Sequence, residues 1–297
     1  MAKRLDGRVA VVTGSGQSIG RAIAMLMAAE GARVVVNSRR EANPDDTPTA
    51  RDTLAQIQAA GGTATAVFAD VGTAAGCDAV IGTALDTYGR IDILVNNAGG
   101  GGVTQLIDTS DEEWNRVIGG NLNSQFWCSR RAARAMLAQG WGRIVNVGSN
   151  VGLYGMPGMS AYAAAKAGSM GFTFALAQEL AGTGITVNEL LPTASTLRNE
   201  RSRAERERRT GHVTVASPLR TPEAIAPLAV YLCTESAANI SGQVLYAAGG
   251  QITHYGWPPA ARTIVKTAHW TLDELDTQFQ RYFGSHFPPP KIPLPVS

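Results

Sequence analysis

Three residues in one short stretch of the chain have the types and the spacing needed to transfer a proton. Ser149 is followed by Tyr162 and then, four residues later, by Lys166. On a helix, positions i and i+4 lie on one face, one turn apart, which would bring the phenol beside the ammonium group. A neighbouring cation favours the phenolate, so the pair could serve as a general acid and base near neutral pH. The alternative is a half-buried aromatic ring beside a solvated lysine, a spacing that also occurs by chance in many helices.

The elements that must position these residues alternate along about 250 residues. Short apolar segments rich in valine predict strands, and longer segments between them predict helices. The alternation predicts an α/β fold, a doubly wound parallel sheet of seven strands with helices on both faces. The predicted strands cover residues 8–13, 33–37, 63–69, 91–95, 141–147, 184–190 and 243–247. We expect one dinucleotide-binding and catalytic domain over residues 1–250, followed by a C-terminal extension over 251–297.

A glycine-rich turn joins the first predicted strand to the first predicted helix. It reads Gly14-Ser15-Gly16-Gln17-Ser18-Ile19-Gly20. A strand, a glycine turn, a helix and a second strand are typical of dinucleotide-binding folds, because the free N–H groups at the helix N-terminus face a pyrophosphate. Ser149 itself follows the fifth predicted strand, so its hydroxyl would lie at a strand end and could hold a substrate oxygen against Tyr162.

The end of the second strand bears on the choice of cofactor. The residues there are Ser38-Arg39-Arg40, with no acidic residue among them. A carboxylate at this edge would bind a ribose 2′-hydroxyl, whereas an arginine suits a 2′-phosphate. We therefore expect NADP(H) in preference to NAD(H). The alternative is that both arginines are solvated surface residues.

Two later segments also carry polar residues at structurally informative places. Asp70-Val71 follows the third strand, where an adenine could lie, and Asn96-Asn97-Ala98-Gly99 ends the fourth. Ser110-x-x-Glu113 is a capping box that predicts a long helix through about residue 138. Asn121 falls inside that helix after two glycines, which is locally unfavourable and therefore suggests a functional role. A surface asparagine is the alternative.

The composition excludes several classes of protein. The 297 residues are 44% hydrophobic and 17% charged, and the net charge of +2 predicts no nucleic-acid partner. Three widely spaced cysteines predict buried thiols in a reducing compartment, not a disulfide framework, and the histidines show no metal-ligand spacing. With no signal peptide and no apolar run long enough to span a bilayer, we expect a cytoplasmic protein without a membrane partner.

Taken in chain order, the motifs resemble the short-chain dehydrogenase/reductase family over roughly residues 5–250. The resemblance rests on Thr13-Gly14-x-x-x-Ser18-Ile19-Gly20, Asn96-Asn97-Ala98-Gly99, Asn121, Ser149 and Tyr162-x-x-x-Lys166. It implies hydride transfer between a nicotinamide cofactor and a ketone or secondary alcohol. Tyr162 would be the general acid for reduction and the base for oxidation. Lys166 would favour the phenolate and hold the nicotinamide ribose, Ser149 would position the carbonyl oxygen, and Asn121 would hold a water that relays protons.

The resemblance also implies a set of cofactor contacts. The glycine turn would line the phosphates of the cofactor, and the end of the second strand would line the 2′ position of the adenine ribose. The ends of later strands would line the adenosine, the ribose and the nicotinamide. The residues implied, besides Tyr162 and Lys166, are Gly14, Ser15, Gln17, Ser18, Ile19, Gly20, Ser38, Arg39, Asp70, Val71, Asn97, Ala98, Gly99, Pro192, Thr193 and Thr196. The chain departs from the family pattern twice: Ser18 stands at the middle glycine of the turn, and Pro192-Thr193 replaces Pro-Gly.

Other functions remain open at this stage. The longer loop after the second strand and the C-terminal extension are similar to those of NAD(H)-dependent 3-hydroxyacyl-thioester and hydroxysteroid dehydrogenases. A lyase or epimerase could keep the tyrosine chemistry, and a dinucleotide-sensing protein would have no turnover. Leu153, Tyr154, Met156 and Leu197 predict a small, fairly apolar carbonyl or alcohol substrate. We expect a homo-oligomer, a tetramer or a dimer, from the resemblance and from the small residues of the helix at 159–181.

Overall fold

A computed structural model describes residues 3–45, 47–195, 219–256, 263–266 and 269–283. The chain divides into two compact units, Met1–Tyr255 and Gly256–Ser297. The first unit holds the sheet and every predicted site residue that the structure describes. In the second unit, one helix is described.

The first unit is built on one sheet of eight strands in the order β3-β2-β1-β4-β5-β6-β7-β8. All neighbours are parallel except β7 and β8, which are antiparallel. The order reverses between β1 and β4, and such a switch point places a crevice at the carboxyl ends of the strands. The strands are β1 Val9–Val12, β2 Arg33–Ser38, β3 Thr63–Phe68, β4 Ile93–Asn96, β5 Gly142–Val147, β6 Ile185–Pro192, β7 Val244–Ala248 and β8 Gln251–Tyr255.

The predicted doubly wound parallel sheet is confirmed, with one strand more than the seven predicted. Residues 251–255, which were expected to begin the C-terminal extension, form β8 beside β7. Gly249, with φ of +55°, adopts a left-handed conformation that turns the chain back on itself. The boundary expected after residue 250 therefore coincides with the turn of a hairpin.

Helices cover both faces of the sheet, and the central strands are buried on both sides. Every residue of β1, β4 and β5 is buried, which explains why these strands show no alternation between buried apolar and exposed polar residues. Two separate groups of buried side chains, one for each face, form the core. The helices are α1 Ser18–Ala29, α2 Ala50–Ala59, α3 Ala74–Tyr88, α4 Asp111–Ile118, α5 Ser124–Gln139, α6 Val151–Tyr154, α7 Ser160–Glu179, α8 Ala226–Tyr231 and, in the second unit, α9 Leu272–Phe283.

The single long helix predicted over residues 110–138 is in fact two helices. A turn of π-helix, Gly119–Asn123, separates α4 from α5. The N–H of Ser124 bonds to the carbonyl oxygen of Gly119, five residues back, so this turn holds one residue more than an α-helical turn. The Ser110 hydroxyl does cap α4, accepting the N–H of Glu113, but the Glu113 carboxylate binds the hydroxyl of Thr104.

A capping box opens α9. Thr271 Oγ1 accepts the N–H of Glu274 at 3.3 Å, and the Glu274 carboxylate accepts the N–H of Thr271 at 2.8 Å. Lys266 also donates to this carboxylate at 2.7 Å, and the hydrogen bonds from Lys266 and Thr271 lower the pKa of Glu274 to about 2.

A buried carboxylate lies at the amino end of the sheet. Asp92, immediately before β4, accepts the N–H of Val9 at 2.8 Å and the Nε–H of Arg90 at 2.9 Å. Arg8 is also within salt-bridge distance of the same carboxylate, at 3.3 Å. This group ties β1 to β4 at the edge opposite the carboxyl ends of the strands.

Within the described part of the chain, no helix is both long and apolar enough to cross a membrane. The same residues contain no cluster of three or more His, Cys, Asp or Glu side chains that could hold a metal ion. The three cysteines, Cys77, Cys128 and Cys233, are buried free thiols.

Candidate active site

The predicted site residues gather at the carboxyl edge of the parallel strands. Ser149 follows β5, the glycine turn follows β1, Asp70 follows β3, Asn97 follows β4, and Pro192 ends β6. Because these strand ends meet at one edge of the sheet, residues far apart in the sequence line one crevice. The helix α7 brings Tyr162 and Lys166 to the same edge.

Lys166 is held in the interior by the end of β5. The side chain is only 3% exposed, and its Nζ donates to the carbonyl oxygen of Val147 at 2.7 Å. The same Nζ lies 5.6 Å from the centroid of the Tyr162 ring, as the i and i+4 spacing predicts. A Cβ at Gly152 would lie 2.7 Å from the Lys166 carbonyl carbon, so only glycine lets α6 pack this closely on α7. Lys166 therefore has a fixed position beside the tyrosine.

Ser149 lies between β5 and the short helix α6 and is half-buried. Its Oγ accepts the N–H of Val151 at 3.2 Å and donates to Asn150 Oδ1 at 3.5 Å. The second contact is at the upper limit for a hydrogen bond, so a substrate oxygen could replace Asn150 as the acceptor. The N–H of Val151 thus orients the serine.

Asn121 lies in the π-helical turn and is 1% exposed. Its Nδ2 donates to the carbonyl oxygens of Gly100 at 2.9 Å and Val117 at 2.8 Å, and its Oδ1 accepts the N–H of Gly100 at 2.9 Å. A Cβ at Gly99 would collide with Oδ1. The side chain therefore clamps the loop after β4. Its role in holding a water stays a prediction, since both amide hydrogens are taken by protein carbonyls.

The loop held by Asn121 also supports Tyr162. A Cβ at Gly101 would lie 3.0 Å from the Cβ of Tyr162, so the backbone of this loop packs directly against the tyrosine. The glycines after β4 thus allow close contacts with two predicted site residues, Asn121 and Tyr162.

The glycine turn is bonded to the end of β4. Thr13 Oγ1 accepts the N–H groups of both Asn97 and Ala98 at 3.0 Å. Asn97 Nδ2 donates to the carbonyls of Thr13 at 2.9 Å and Gly14 at 3.0 Å. A Cβ at Gly20 would collide with this amide. These contacts explain why Thr13, the glycines and Asn97 occur together in the sequence motif.

Ser18 is the exception in this turn. Its φ of +53° lies in the left-handed region, which glycine adopts without strain and other residues rarely do. Its Oγ is buried and has no hydrogen-bond partner among the described residues. A buried hydroxyl without a partner is costly, and at the N-terminus of α1 its natural ligand would be an anion.

Ser38 and Arg39 at the end of β2 differ in what they contact. Ser38 Oγ donates to the carbonyl of Arg40 at 2.7 Å and accepts the N–H of Ala50 at 3.0 Å, so its hydroxyl joins β2 to the start of α2. Arg39 is exposed and has no hydrogen-bond or ion-pair partner within the described ranges. The arginine is thus available to an anionic ligand, whereas the serine fixes the loop that carries it.

The remaining predicted contacts are placed as follows. Asp70 Oδ1 accepts the N–H of Gly72 at 2.9 Å, and Val71 is buried with its carbonyl accepting the thiol of Cys77. Pro192 ends β6, and the N–H of Thr193 donates to Ala247 at 2.9 Å. Thr196 and Leu197 lie outside the described residues.

A fully buried carboxyl behind the site was missed at the sequence level. Glu189 on β6 accepts the hydroxyls of Ser169 and Thr173, both at 2.7 Å. Desolvation raises the pKa of this carboxyl to about 7, against the opposing effects of these hydrogen bonds and of Lys166. The one signal in the sequence is a glutamate inside a predicted strand, which by itself does not show that the side chain is buried.

The described residues fit a dinucleotide. Three features fit: the Ser18 hydroxyl at the N-terminus of α1, which has no partner among the described residues, the glycines of the turn, and the buried Lys166 ammonium, which uses one of its three hydrogens on Val147.

The sequence profile of the family described as short chain dehydrogenase matches residues 8–207. The chain is 40% identical over 253 residues to the 3-oxoacyl-[acyl-carrier-protein] reductase of Synechocystis sp., covering 84% of this chain and 98% of that protein. It is 36% identical to the 3-oxoacyl-[acyl-carrier-protein] reductase FabG of Escherichia coli over 82% of this chain and 97% of the other. Among solved structures, a short chain dehydrogenase from Mycobacterium avium matches with a TM-score of 0.82 and 36% identity over 99% of both chains.

Replacing Ser18 with glycine is expected to stabilise the protein. The change removes both a left-handed side chain and a buried hydroxyl without a partner, so we expect the free energy of unfolding to rise by about 1 kcal/mol. Urea unfolding of Ser18→Gly and wild type, without ligands, measures the difference.

Ser15 in the same turn provides the matched control. Its Oγ donates to Val12 at 2.7 Å and accepts the N–H of Asn37 at 2.9 Å, so Ser15→Ala should lower the free energy of unfolding by about 1 to 2 kcal/mol. A free energy of unfolding that falls in Ser18→Gly, as it should in Ser15→Ala, would show that the backbone at Ser18 is not strained.

Proposed function

The chain belongs to the short-chain dehydrogenase family, the NAD(P)-dependent oxidoreductases that act on CH–OH groups. We propose that it interconverts a ketone and a secondary alcohol with NADP(H), and that Tyr162 is the general acid and base. One observation carries this proposal. The hydrogen bond from Lys166 to Val147 fixes an ammonium group beside the Tyr162 ring, at the edge of the sheet where Ser149 also lies.

The chemistry divides between the cofactor and the protein. When bound, the nicotinamide supplies or accepts the hydride. In reduction, the Tyr162 hydroxyl gives its proton to the carbonyl oxygen, and in oxidation the phenolate takes a proton from the alcohol. The Ser149 hydroxyl orients the same oxygen, since its own Oγ is held by the N–H of Val151. Lys166 keeps positive charge next to the tyrosine and uses its remaining hydrogens to hold the ribose of the cofactor.

The preference for NADP(H) over NAD(H) is proposed from Arg39. This side chain is exposed at the end of β2, where the adenine ribose lies in such folds, and a guanidinium binds a phosphate by two parallel hydrogen bonds. Ser38 fixes the loop through its bonds to Arg40 and Ala50. The nearest carboxylate in the sequence, Glu41, pairs with Arg51. Glu41 is thus engaged by Arg51 and not by Arg39.

A 3-oxoacyl thioester is the substrate class that we place first in the test. Two relatives with at least 36% identity are named 3-oxoacyl-[acyl-carrier-protein] reductases. The segment after Ser149 carries three exposed large apolar side chains, which suit the hydrocarbon part of such a substrate: Leu153, Tyr154 and Met156. A hydroxysteroid or a simple ketone would use the same apolar surface, so the panel includes both.

The first experiment follows nicotinamide absorbance with purified protein. NADPH and NADH are supplied side by side with 3-oxoacyl thioesters, steroid ketones and simple ketones. We expect loss of absorbance with NADPH and one substrate class.

Tyr162→Phe should lower turnover by at least about a hundredfold, because the general acid is gone. Its affinity for NADPH should be unchanged, since the ring and Lys166 remain.

The outcomes separate the competing functions. A protein that binds NADPH without turning over any substrate would be a sensor. Substrate conversion without loss of NADPH would indicate a lyase or an epimerase. Unchanged turnover in Tyr162→Phe would refute the assigned acid and base.

The cofactor proposal is tested by reversing one charge. Arg39→Asp should weaken NADPH binding and favour NADH, moving the ratio of the two dissociation constants by at least about tenfold. Arg40→Asp makes the same charge change one residue later and should move that ratio much less. Equal effects of the two variants would mean that general electrostatics, not a phosphate contact at Arg39, sets the preference.

A further inference from the structure

A buried carboxyl group sits directly behind the proposed acid and base. Glu189 is fully buried on β6, and its two oxygens accept the hydroxyls of Ser169 and Thr173 at 2.7 Å each. A Cβ at Gly148 would collide with Glu189 Oε1, so the carboxyl packs on the residue that links Val147 to Ser149. No step of the chemistry described above uses this group.

The hydroxyls that bind Glu189 share a helix face with Lys166. Ser169 and Thr173 lie one and two turns beyond the lysine on α7. Glu189 is also paired with Asn146 across the β5–β6 ladder, next to Val147, whose carbonyl accepts Lys166 Nζ. The two elements that hold Lys166, α7 and the end of β5, therefore also contact Glu189.

The hydrogen bonds around Ser169 admit two states. Ser169 Oγ lies 2.7 Å from both Glu189 Oε1 and Gln125 Oε1, yet a hydroxyl has one hydrogen for these two oxygens. If Glu189 is protonated, its O–H donates to Ser169, which donates to Gln125. If Glu189 is ionised, Ser169 donates to it, and Gln125 turns its amide so that Nε2 donates to Ser169. In the orientation described, Nε2 has no partner among the described residues.

Lys166 is the charged group that acts on this carboxyl. It lowers the pKa of Glu189, while desolvation, the larger effect, raises it to about 7. The groups that face Glu189 from its other neighbours do not titrate: Gln125 from α5, Asn146 from β5 and Val244 from β7. Burial, opposed by the hydrogen bonds from Ser169 and Thr173 and by the Lys166 ammonium group, places the pKa of Glu189 near neutral pH.

We propose that Glu189 is a positioning residue for the reaction, a buried carboxyl that gains or loses one proton behind Lys166 and thereby sets the pH range over which Tyr162 transfers its own proton. The proposal rests on the proposed function of Tyr162 and Lys166. Above neutral pH the carboxylate offsets the charge of the ammonium, which makes the phenolate harder to form. Below neutral pH the neutral acid leaves the ammonium fully effective.

The test is the pH profile of alcohol oxidation, which needs the phenolate. In Glu189→Gln the carboxylate cannot form, so on the rising limb above about pH 7 rates should be about three- to tenfold higher than in the wild type, and the midpoint should lie about 0.5 to 1 unit lower. Well below pH 7 the carboxyl of the wild type is neutral too, and the two profiles should coincide. The wild-type profile should show a second ionisation near neutral pH that Glu189→Gln lacks. Asp92→Asn is the matched control, because it neutralises another buried carboxylate at the opposite end of the sheet and should leave the profile unchanged.

Unfolding by urea gives a readout that needs no activity. The pKa of Glu189 is raised from 4.5 to about 7 in the folded protein, so the folded state holds a proton that the unfolded state has released between these values. The stability of the wild type should therefore fall, relative to Glu189→Gln, as pH rises from about 4.5 to about 7. A constant difference across this range would overturn the proposal.

Failure of the role of Glu189 and failure of the proposed function give different results. Coincident pH profiles of active wild type and Glu189→Gln, or an equal shift in Asp92→Asn, would overturn the role of Glu189 and leave the proposed function intact. Absence of any turnover in the wild type would overturn the proposed function itself. If Glu189→Gln does not fold, Ser169→Ala replaces it: loss of one donor to the carboxylate should move the second ionisation to higher pH, and an unmoved ionisation would refute the proposal.

Discussion

The bond between Lys166 Nζ and the carbonyl oxygen of Val147 is the constraint on which the site depends. A buried ammonium group must find acceptors, because its transfer from water is otherwise very costly. The lysine therefore ties α7 to the end of β5, which fixes Tyr162 on the helix relative to Ser149, just beyond the strand. Gly152 leaves room for this contact, because a Cβ there would lie 2.7 Å from the Lys166 carbonyl carbon. The candidate acid and base are thus held in place by the protein itself.

The features that the sequence predicted are those that depend on local pattern. Buried parallel strands read as valine-rich runs because both faces are covered, so the order of strands and helices could be read directly. The pairing of Tyr162 with Lys166 follows from helical spacing, and the glycine turn from its place between a strand and a helix. Ser18 is consistent with this: the sequence marked it as a departure from the glycine pattern, and the structure gives it the backbone angle of a glycine, with φ of +53°.

The features that the sequence did not predict depend on contacts between distant residues. β8 forms because a hairpin brings it to β7; its Ile252, Thr253 and Tyr255 favour a strand, but the segment was assigned to the C-terminal extension. Glu189 is stabilised by hydroxyls on α7, so its burial could not be seen in β6 alone. The small residues of α7 were interpreted as a contact between subunits. One of them, Gly168, allows close packing within the chain, since a Cβ there would lie 2.9 Å from the Leu122 side chain. Asn121 was marked as unusual, but only its contacts show that it clamps the loop after β4.

The π-helical turn at Gly119–Asn123 gives the chain an unusual sensitivity to length. The turn holds one residue more than an α-helical turn, so deleting a single residue would convert α4 and α5 into one continuous and intrinsically more stable helix. Each residue of a helix corresponds to a rotation of about 100°, so the same deletion would turn Asn121 away from Gly100 unless the whole of α4 rotated with it. The loop after β4 would then lose the hydrogen bonds from Asn121 that hold it, and Tyr162 would lose its packing contact with the backbone of this loop. A deletion that improves the local helix would thus dismantle the site, whereas most single substitutions in this turn would keep the register.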